Sequence, residues 1–260
     1  MARYANVIMI KPFLVALQFL TQLPVRFSVQ PNDKQIGHSL LYYPLVGLLI
    51  GTLLLALAWL FTGIPPLVSS ALLLTCWVFL TGGLHLDGLA DSADAWIGGM
   101  GDKEKTLAIM KDPNCGPAGV VALVLVLLLK FVAVYNLFVT HEWVALLLAI
   151  ILARTLVPLL FLTTPYVRSN GLGSTLVSNQ PHLPNILVII ATPLLVLLLT
   201  DIHYLWLIMA AMMAFVVLRS LMMNRLGGTT GDTTGALIEI TETIVLLTAA
   251  IAFVPTINTL

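Results

Sequence analysis

Seven times along this chain, apolar residues run on for roughly 16–25 positions with almost no charge, the length a helix needs to cross the hydrocarbon core of a bilayer. Inside lipid each backbone N–H and C=O must be satisfied within its own segment, so such runs fold as helices. The seven lie near Leu40–Phe61, Ile64–Gly83, Pro117–Val139, Glu142–Thr163, Asn185–Thr200, His203–Met223 and Ala236–Val254. The fold class is therefore all-α, a polytopic integral membrane protein. Only 9% of the 260 residues are charged, against about 25% in an ordinary soluble domain. A formal net charge of +0 excludes a nucleic-acid partner held by bulk charge. Two cysteines give no disulfide framework. Lys11 interrupts the first apolar stretch and no small-residue cleavage site follows, so the N-terminus does not read as a signal peptide.

The loops sort by charge. Arg3, Lys11, Arg26, Lys34, Lys103, Lys105, Lys111, Arg168 and Arg225 fall on the side that holds the N-terminus. The short turns Thr62–Pro65, Thr140–Glu142 and Thr200–His203, and the C-terminal tail, carry no Lys or Arg. The positive-inside rule then places the N-terminus in the cytoplasm and the C-terminus outside, which requires an odd number of spans. Residues 1–39 read as an N-terminal cytoplasmic or interfacial segment, and 40–260 as one transmembrane helical domain. Its long loops, 84–116, 164–184 and 224–235, are cytoplasmic and carry the polar residues. Pro12 opens a helix-like stretch to Leu23, with Phe13, Leu17 and Leu20 on one face. That stretch is an interfacial helix or a short buried one.

Chemistry is expected at the end of the second span. Asp87, Asp91 and Asp94 are spaced i, i+4, i+7, one face of a helix. Like charges so placed raise one another's pKa unless a cation sits among them. Oxygen ligands of this kind suit Mg²⁺ or Mn²⁺. The plainer alternative is a solvated acidic helix end. His85 is a candidate base or substrate contact, or an interfacial hydrogen bonder.

A second polar stretch, Leu226-Gly-Gly-Thr-Thr-Gly-Asp-Thr-Thr-Gly235, leads into the last span. Gly227, Gly228, Thr230 and Gly231 could cradle a phosphate at the helix start. The Gly-Lys-Ser/Thr ending of a P-loop is missing. Asp232 is either an N-cap or a metal ligand. The spacing Gly-Gly-x-x-x-Asp recurs at Gly82–Asp87 and Gly227–Asp232, which fits two carboxylate loops converging on one site. Within the spans, Lys130, Arg154, Glu239 and Glu242 cost free energy unless paired or in a cavity. They read as an internal ion pair, or Arg154 reads as a binder of anionic substrate. Lys111 and Asp112 read as ligand contacts or as a turn, ahead of Gly116-Pro117, where an open helix start suits a phosphate. Arg168 stands in another glycine-containing loop as a fork-shaped anion binder. Gly47-x-x-x-Gly51 reads as close helix packing.

These strings occur in one order: Gln-Phe-Leu-Thr-Gln-Leu-Pro-Val (Gln18–Val25), Gly-Gly-Leu-His-Leu-Asp-Gly-Leu-Ala-Asp-Ser-Ala-Asp (Gly82–Asp94), Met-Lys-Asp (Met110–Asp112) with Gly116 and Gly119, Arg-x-x-Gly-Leu-Gly (Arg168–Gly173) and Leu-Gly-Gly-x-Thr-Gly-Asp-x-x-Gly-Ala (Leu226–Ala236). Together they resemble the cobalamin synthase family, the adenosylcobinamide-GDP ribazoletransferases, over nearly the whole chain. The sequence departs from that pattern at Ala95, where a glycine is usual, and at Pro113-Asn114-Cys115, where a Ser-Arg-type stretch is usual. Both changes spare the aspartates. The second weakens the case for anion binding by its loop.

The resemblance implies a multi-pass enzyme of a bacterial or archaeal cell membrane, with its active site facing the cytoplasm. It implies Mg²⁺-dependent joining of adenosylcobinamide-GDP to α-ribazole or its 5′-phosphate, with loss of GMP, late in cobalamin assembly. A homo-oligomer, or association with other cobalamin-assembly enzymes, is compatible with it. In that scheme Asp87, Asp91, Asp94 and Asp232 hold one or two Mg²⁺ and one of them takes a proton, while Lys111, Arg154 and Arg168 counter phosphate charge. Of the alternatives, a CDP-alcohol phosphotransferase would need an arginine that Asp87-Gly88-Leu89-Ala90-Asp91 lacks. The Gly-Gly-x-Thr-Gly-Asp loop gives a membrane prenyltransferase no support. A cation transporter would place its carboxylates at the midplane.

Overall fold

The computed structural model describes residues 2–169 and 171–253, with the backbone alone for residues 2–9. Its helices are α1 (Ala2–Leu20), α2 (Asp33–His38), α3 (Tyr43–Leu60), α4 (Pro66–Thr81), α5 (Leu84–Gly98), α6 (Lys103–Ile109), α7 (Pro117–Thr140), α8 (Trp143–Thr163), α9 (Leu172–Ser178), α10 (His182–Leu199), α11 (Leu205–Leu226) and α12 (Gly231–Ala252). Among the described residues the only strand-like pairing is one parallel bridge between Tyr166 and Thr229. Six helical stretches are long and apolar enough to span a membrane, and a seventh counts if α4 and α5 are taken as one bent span. The chain is thus a polytopic all-α membrane protein. The end of the last predicted span at Val254, the C-terminal tail, the Arg3 side chain and Asn170 lie outside the described residues.

α8 is the central helix. Leu146, Ile150 and Leu160 are wholly buried on it, and it packs against α3, α10, α11 and α12. Gly47 and Gly51 allow the approach of α3: a Cβ on Gly47 would lie 3.1 Å from the backbone of Ile150 and Ile151. The small-residue spacing read from the sequence does this work. Around α8, the outer helices turn large apolar side chains outward, including Val124 and Leu128 on α7, Ile190 and Leu194 on α10, and Met213 and Val217 on α11. In water such faces would be costly. In a bilayer they are the solvent-facing side.

Two expectations need correction. The second span lies where it was expected, near Ile64–Gly83, but it does not continue straight into the aspartate stretch as one helix. α4 stops at Thr81, and the chain turns by 88° into α5. Gly82 and Gly83 both take left-handed conformations, with φ of +68° and +67°, and two such residues in succession end a helix. At 16 residues, α4 is roughly 24 Å long, shorter than the roughly 30 Å hydrocarbon core. After this turn α5 packs against α6 and the first turns of α7 and α12, and its Trp96 meets Arg225 at the end of α11. Second, Pro12 lies inside α1 rather than opening it. Val15, Ala16, Leu17 and Leu20 are buried while Gln18 is exposed, so this end of α1 is a packed helix.

The two ends of the bundle differ as the loops suggested. At one, Tyr204 donates to Glu142 at 2.9 Å, and Phe138 meets Trp143 edge-on at 4.9 Å. At the other, Gln22 N–H bonds Leu80 O at 2.8 Å, and Arg219 bonds Thr163 O and Thr164 Oγ1. Arg219 there satisfies a carbonyl left free by the end of α8.

Candidate active site

α5 and α12 cross at two glycines. A Cβ on Gly88 would lie 2.7 Å from Asp232 O, and one on Gly235 would lie 3.1 Å from His85 O. Only residues without side chains allow this approach, and it places the aspartates of two distant stretches side by side. Asp87 and Asp232 both line a cavity of about 240 Å³. The two Gly-Gly-x-x-x-Asp strings are also alike locally. Gly82 caps α4 and Gly227 caps α11, each at φ +68°, and each aspartate sits in the first turn of the next helix. A negative side chain there favours the helix dipole.

The carboxylates of the two stretches feel one another's charge. Burial and then the charges of Asp87, Asp232 and Asp94 push the Asp91 carboxyl up to about 6. Arg168 pairs with Asp232 at 2.7 Å and also donates to Met110 O at 3.3 Å. Arg168 lines an adjacent cleft with Lys111, Leu107, Val167 and Ser169. The predicted anion binders Lys111 and Arg168 thus stand together, beside the carboxylates.

Other predicted residues have different positions. Asp94 points away to α7, where Oδ2 accepts from Gly116 N–H at 2.7 Å and Oδ1 from Gly119 N–H at 2.9 Å. It fills the helix start that the sequence left open for a phosphate, and explains the glycines there: a Cβ on either would lie 2.5 Å from its carboxylate. Among the described residues no three His, Cys, Asp or Glu side chains are gathered closely enough to hold a metal ion. Asp94 is committed to α7 and Asp232 to Arg168. Asp112 is exposed and accepts from the backbone and side chain of Asn114, so it shapes a turn rather than lining the site. Thr230, not Asp232, caps α12: its hydroxyl accepts from Thr233 N–H while Thr233 Oγ1 accepts from Thr230 N–H. That hydroxyl is wholly buried and spent. Gly227 and Gly228 shape the loop, Gly228 admitting the Pro165 carbonyl, and only Gly231 of this set reaches the cavity wall. Cys115 is exposed near Asp94, and Ala95 is buried with Met110 and Leu226 in a small second core.

Arg154 does not face the site. It is 0% exposed and pairs with Glu242, while Lys130, 3% exposed, bonds both Glu239 and Glu242 and lies over the Trp77 ring at 4.8 Å. The internal ion pairing is the reading that holds. Two cations and two anions balance within the bundle, as the low dielectric requires.

His85 backs the cavity and is 5% exposed, with no hydrogen-bond partner at Nδ1. Burial, then the charges of Arg154 and Lys130, hold it well below the ordinary histidine range, so the ring is neutral. Sequence reasoning missed Tyr166, which lines the cavity beside Asp232 and whose phenol is raised chiefly by burial. Its only signal was an aromatic residue amid a polar loop. It also missed the apolar wall formed by Tyr43, Val157, Phe161 and Ile238, since apolar residues are everywhere in such a chain.

Comparison with known proteins identifies the family. The family model described as cobalamin-5-phosphate synthase matches residues 12–250. A Pseudomonas fluorescens protein named adenosylcobinamide-GDP ribazoletransferase is 54% identical over 240 residues, covering 92% of this chain and 99% of that protein. A protein of the same name from Pseudomonas syringae pv. syringae is 53% identical over 240 residues, with the same coverage. Another, from Pseudomonas paraeruginosa, is 54% identical over 244 residues, covering 93% of this chain and 98% of its own. No solved structure matches the chain. With a family model spanning nearly all of it and relatives matched almost end to end, the chain belongs to the cobalamin-5-phosphate synthase family.

Proposed function

We propose that this protein transfers the cobinamide-phosphate part of adenosylcobinamide-GDP to α-ribazole or its 5′-phosphate, releasing GMP, at the rim formed by Asp87 and Asp232. The relatives' names support the substrates. The observation that carries the site is the crossing at Gly88 and Gly235, which sets both carboxylates at the mouth of one cavity, beside the cleft of Lys111 and Arg168.

The donor chemistry fits Mg²⁺: the nearby ligands are carboxylate oxygens, and their mutual repulsion is visible at Asp91. Because no three of these side chains gather closely enough to cage an ion by themselves among the described residues, one or two of Asp87, Asp91 and Asp232 would hold it together with substrate phosphate oxygens, with Asp94 left to its capping role. When bound, Mg²⁺ supplies neutralisation of charge on the phosphoryl and leaving oxygens. The protein's own residues do the rest. A ribose hydroxyl at the cavity mouth attacks the phosphorus that bears cobinamide. A new O–P bond forms, the bond to the GMP phosphate breaks, and the hydroxyl proton passes to a rim carboxylate. Lys111 and Arg168 hold the diphosphate by charge, Arg168 through a planar fork.

GMP release by the reconstituted protein, requiring both substrates and Mg²⁺, is the expected result. Asp87→Asn and Asp232→Asn should each abolish it in protein that still inserts and folds. Full turnover in either variant removes that residue from the scheme. The site faces the cytoplasm in this proposal, supported by the basic loops at its end of the bundle. Cys115, exposed there, should then react with an impermeant maleimide in inside-out vesicles and not in right-side-out ones. The opposite pattern reverses the orientation.

A further inference from the structure

We infer that the apolar cavity behind Asp87 and Asp232 is the seat of the acceptor's bicyclic base, with His85 facing it as the polar contact. This inference rests on the proposed reaction and says which part of which substrate enters the bundle.

Size narrows the choice first. The cavity is about 240 Å³. A dimethylated benzimidazole at interior packing density needs roughly 200 Å³, and a corrin macrocycle needs several times more. Guanine is close in size to the benzimidazole, so polarity must decide between them. The wall is mainly apolar, with Val157, Phe161, Leu176 and Ile238 among its side chains. Its Thr234 hydroxyl already donates to Thr230 O at 2.7 Å, which leaves the Tyr166 phenol as the other hydroxyl in the wall. Guanine's N–H donors could reach only the two carboxylates at the mouth, and its O6, N7 and N3 acceptors would be left unpaired in the apolar interior. The base of α-ribazole has two methyl groups and, once glycosylated, a single free ring nitrogen that only accepts.

The polar feature of the cavity matches that requirement. His85 is 5% exposed, lines the cavity, and has no protein partner at Nδ1. Nδ1 itself is closed off from the cavity space, so the contact with a ligand falls to the ring's other nitrogen, Nε2. An imidazole has a ring N–H to donate, and the base has one nitrogen to accept it. The mouth of the same cavity bears Asp87 and Asp232. A base seated inside therefore leaves its ribose hydroxyls beside the carboxylates, where the proposed attack begins. The diphosphate of the other substrate stays outside, on Lys111 and Arg168.

The test is steady-state kinetics of the full-length protein in nanodiscs with two acceptors, the riboside phosphates of 5,6-dimethylbenzimidazole and of unsubstituted benzimidazole. Val157→Leu narrows the wall and should raise KM for the dimethylated acceptor roughly tenfold, the lower range for one methylene in an apolar pocket. The unsubstituted acceptor should be spared, and KM for adenosylcobinamide-GDP should not move. Phe161→Leu opens the wall and should admit the riboside phosphate of the larger naphthimidazole, a gain that a misfolded protein cannot show. His85→Phe should raise KM for both acceptors and leave that of adenosylcobinamide-GDP alone. Equal effects of Val157→Leu on the two acceptors, or shifts confined to adenosylcobinamide-GDP, overturn the assignment. Absence of GMP release from the unaltered protein would instead sink the proposed reaction, a separate failure.

Discussion

Gly88→Ala separates a site held by helix crossing from one that merely contains the right residues. A Cβ at Gly88 would stand 2.7 Å from Asp232 O and 3.0 Å from Asp232 Cα, backbone atoms that cannot rotate aside. Ordinary contact begins near 3.4 Å, so α5 and α12 must part by about 0.7 Å. A misplacement of 1 Å costs about 10²-fold, so turnover should fall roughly 10- to 100-fold. Stability should change less. Overpacking costs roughly 1–3 kcal/mol, and replacing a helical glycine by alanine returns about 1 kcal/mol. GMP release and thermal unfolding, measured on the same reconstituted sample, read the two effects separately. Gly98→Ala is the control on the same helix. Its Cβ would meet only the end of the Ile109 side chain, at 2.8 Å, which can swing away, and turnover should be preserved. Unaltered turnover in Gly88→Ala would refute the claim that the crossing sets the spacing of Asp87 and Asp232.

Asp94→Asn should lose one of the two charge-assisted bonds to the start of α7, lowering stability by about 1.5–3 kcal/mol while Mg²⁺ binding, read by calorimetry, persists. Loss of Mg²⁺ binding with unchanged stability would return Asp94 to the ligand set. Asp91→Asn should do the reverse. The folded protein holds the Asp91 proton up to about pH 6, against 3.8 for a free carboxyl, so its charged form destabilises the fold above that range. Without divalent cations the variant should melt higher than the unaltered protein near pH 8, and the two should converge toward pH 4. Solvent screening limits the difference to under about 1 kcal/mol. A variant that melts lower near pH 8 contradicts the assigned repulsion.

The spans were legible because lipid dictates length and composition together. The break between α4 and α5 was not, since Gly82 and Gly83 follow an apolar run and hydropathy does not register left-handed backbone. The convergence of Asp87 and Asp232 was legible through a repeated local spacing. The diversion of Asp94 was not, because its partners Gly116 and Gly119 belong to a helix the i, i+4, i+7 face does not reveal. Arg154 shows the same limit from the other side. A lone cation in a span has to be paired or in a cavity, but only the packing of α8 against α12 says which. The cavity wall was least legible, being built of apolar residues from several helices with no spacing in common.

Charge is distributed in two layers, and α12 contributes to both. At the surface, Asp87, Asp91, Asp94 and Asp232 sum to four negative charges, and among the described residues only Arg168 forms an ion pair with them. Deeper, Lys130, Arg154, Glu239 and Glu242 sum to zero. Asp232 and Glu239 are seven positions apart on the helix, roughly 10 Å along its axis. A residue's turn is about 100°, so rotating α12 by one position would carry Asp232 off the cavity rim and Glu239 and Glu242 off their cations together. Our hypothesis is that the buried quartet fixes the rotation of α12 and thereby aims Asp232. Glu242→Gln leaves a buried excess cation and should cost about 3–5 kcal/mol. Replacing all four charges by apolar residues of similar volume should restore stability, because such groups are often neutral or stabilising in place of buried ions. The restored protein should nonetheless turn over slowly, with α12 no longer held in register. If the four-fold apolar variant is both stable and fully active, the quartet does not aim the site.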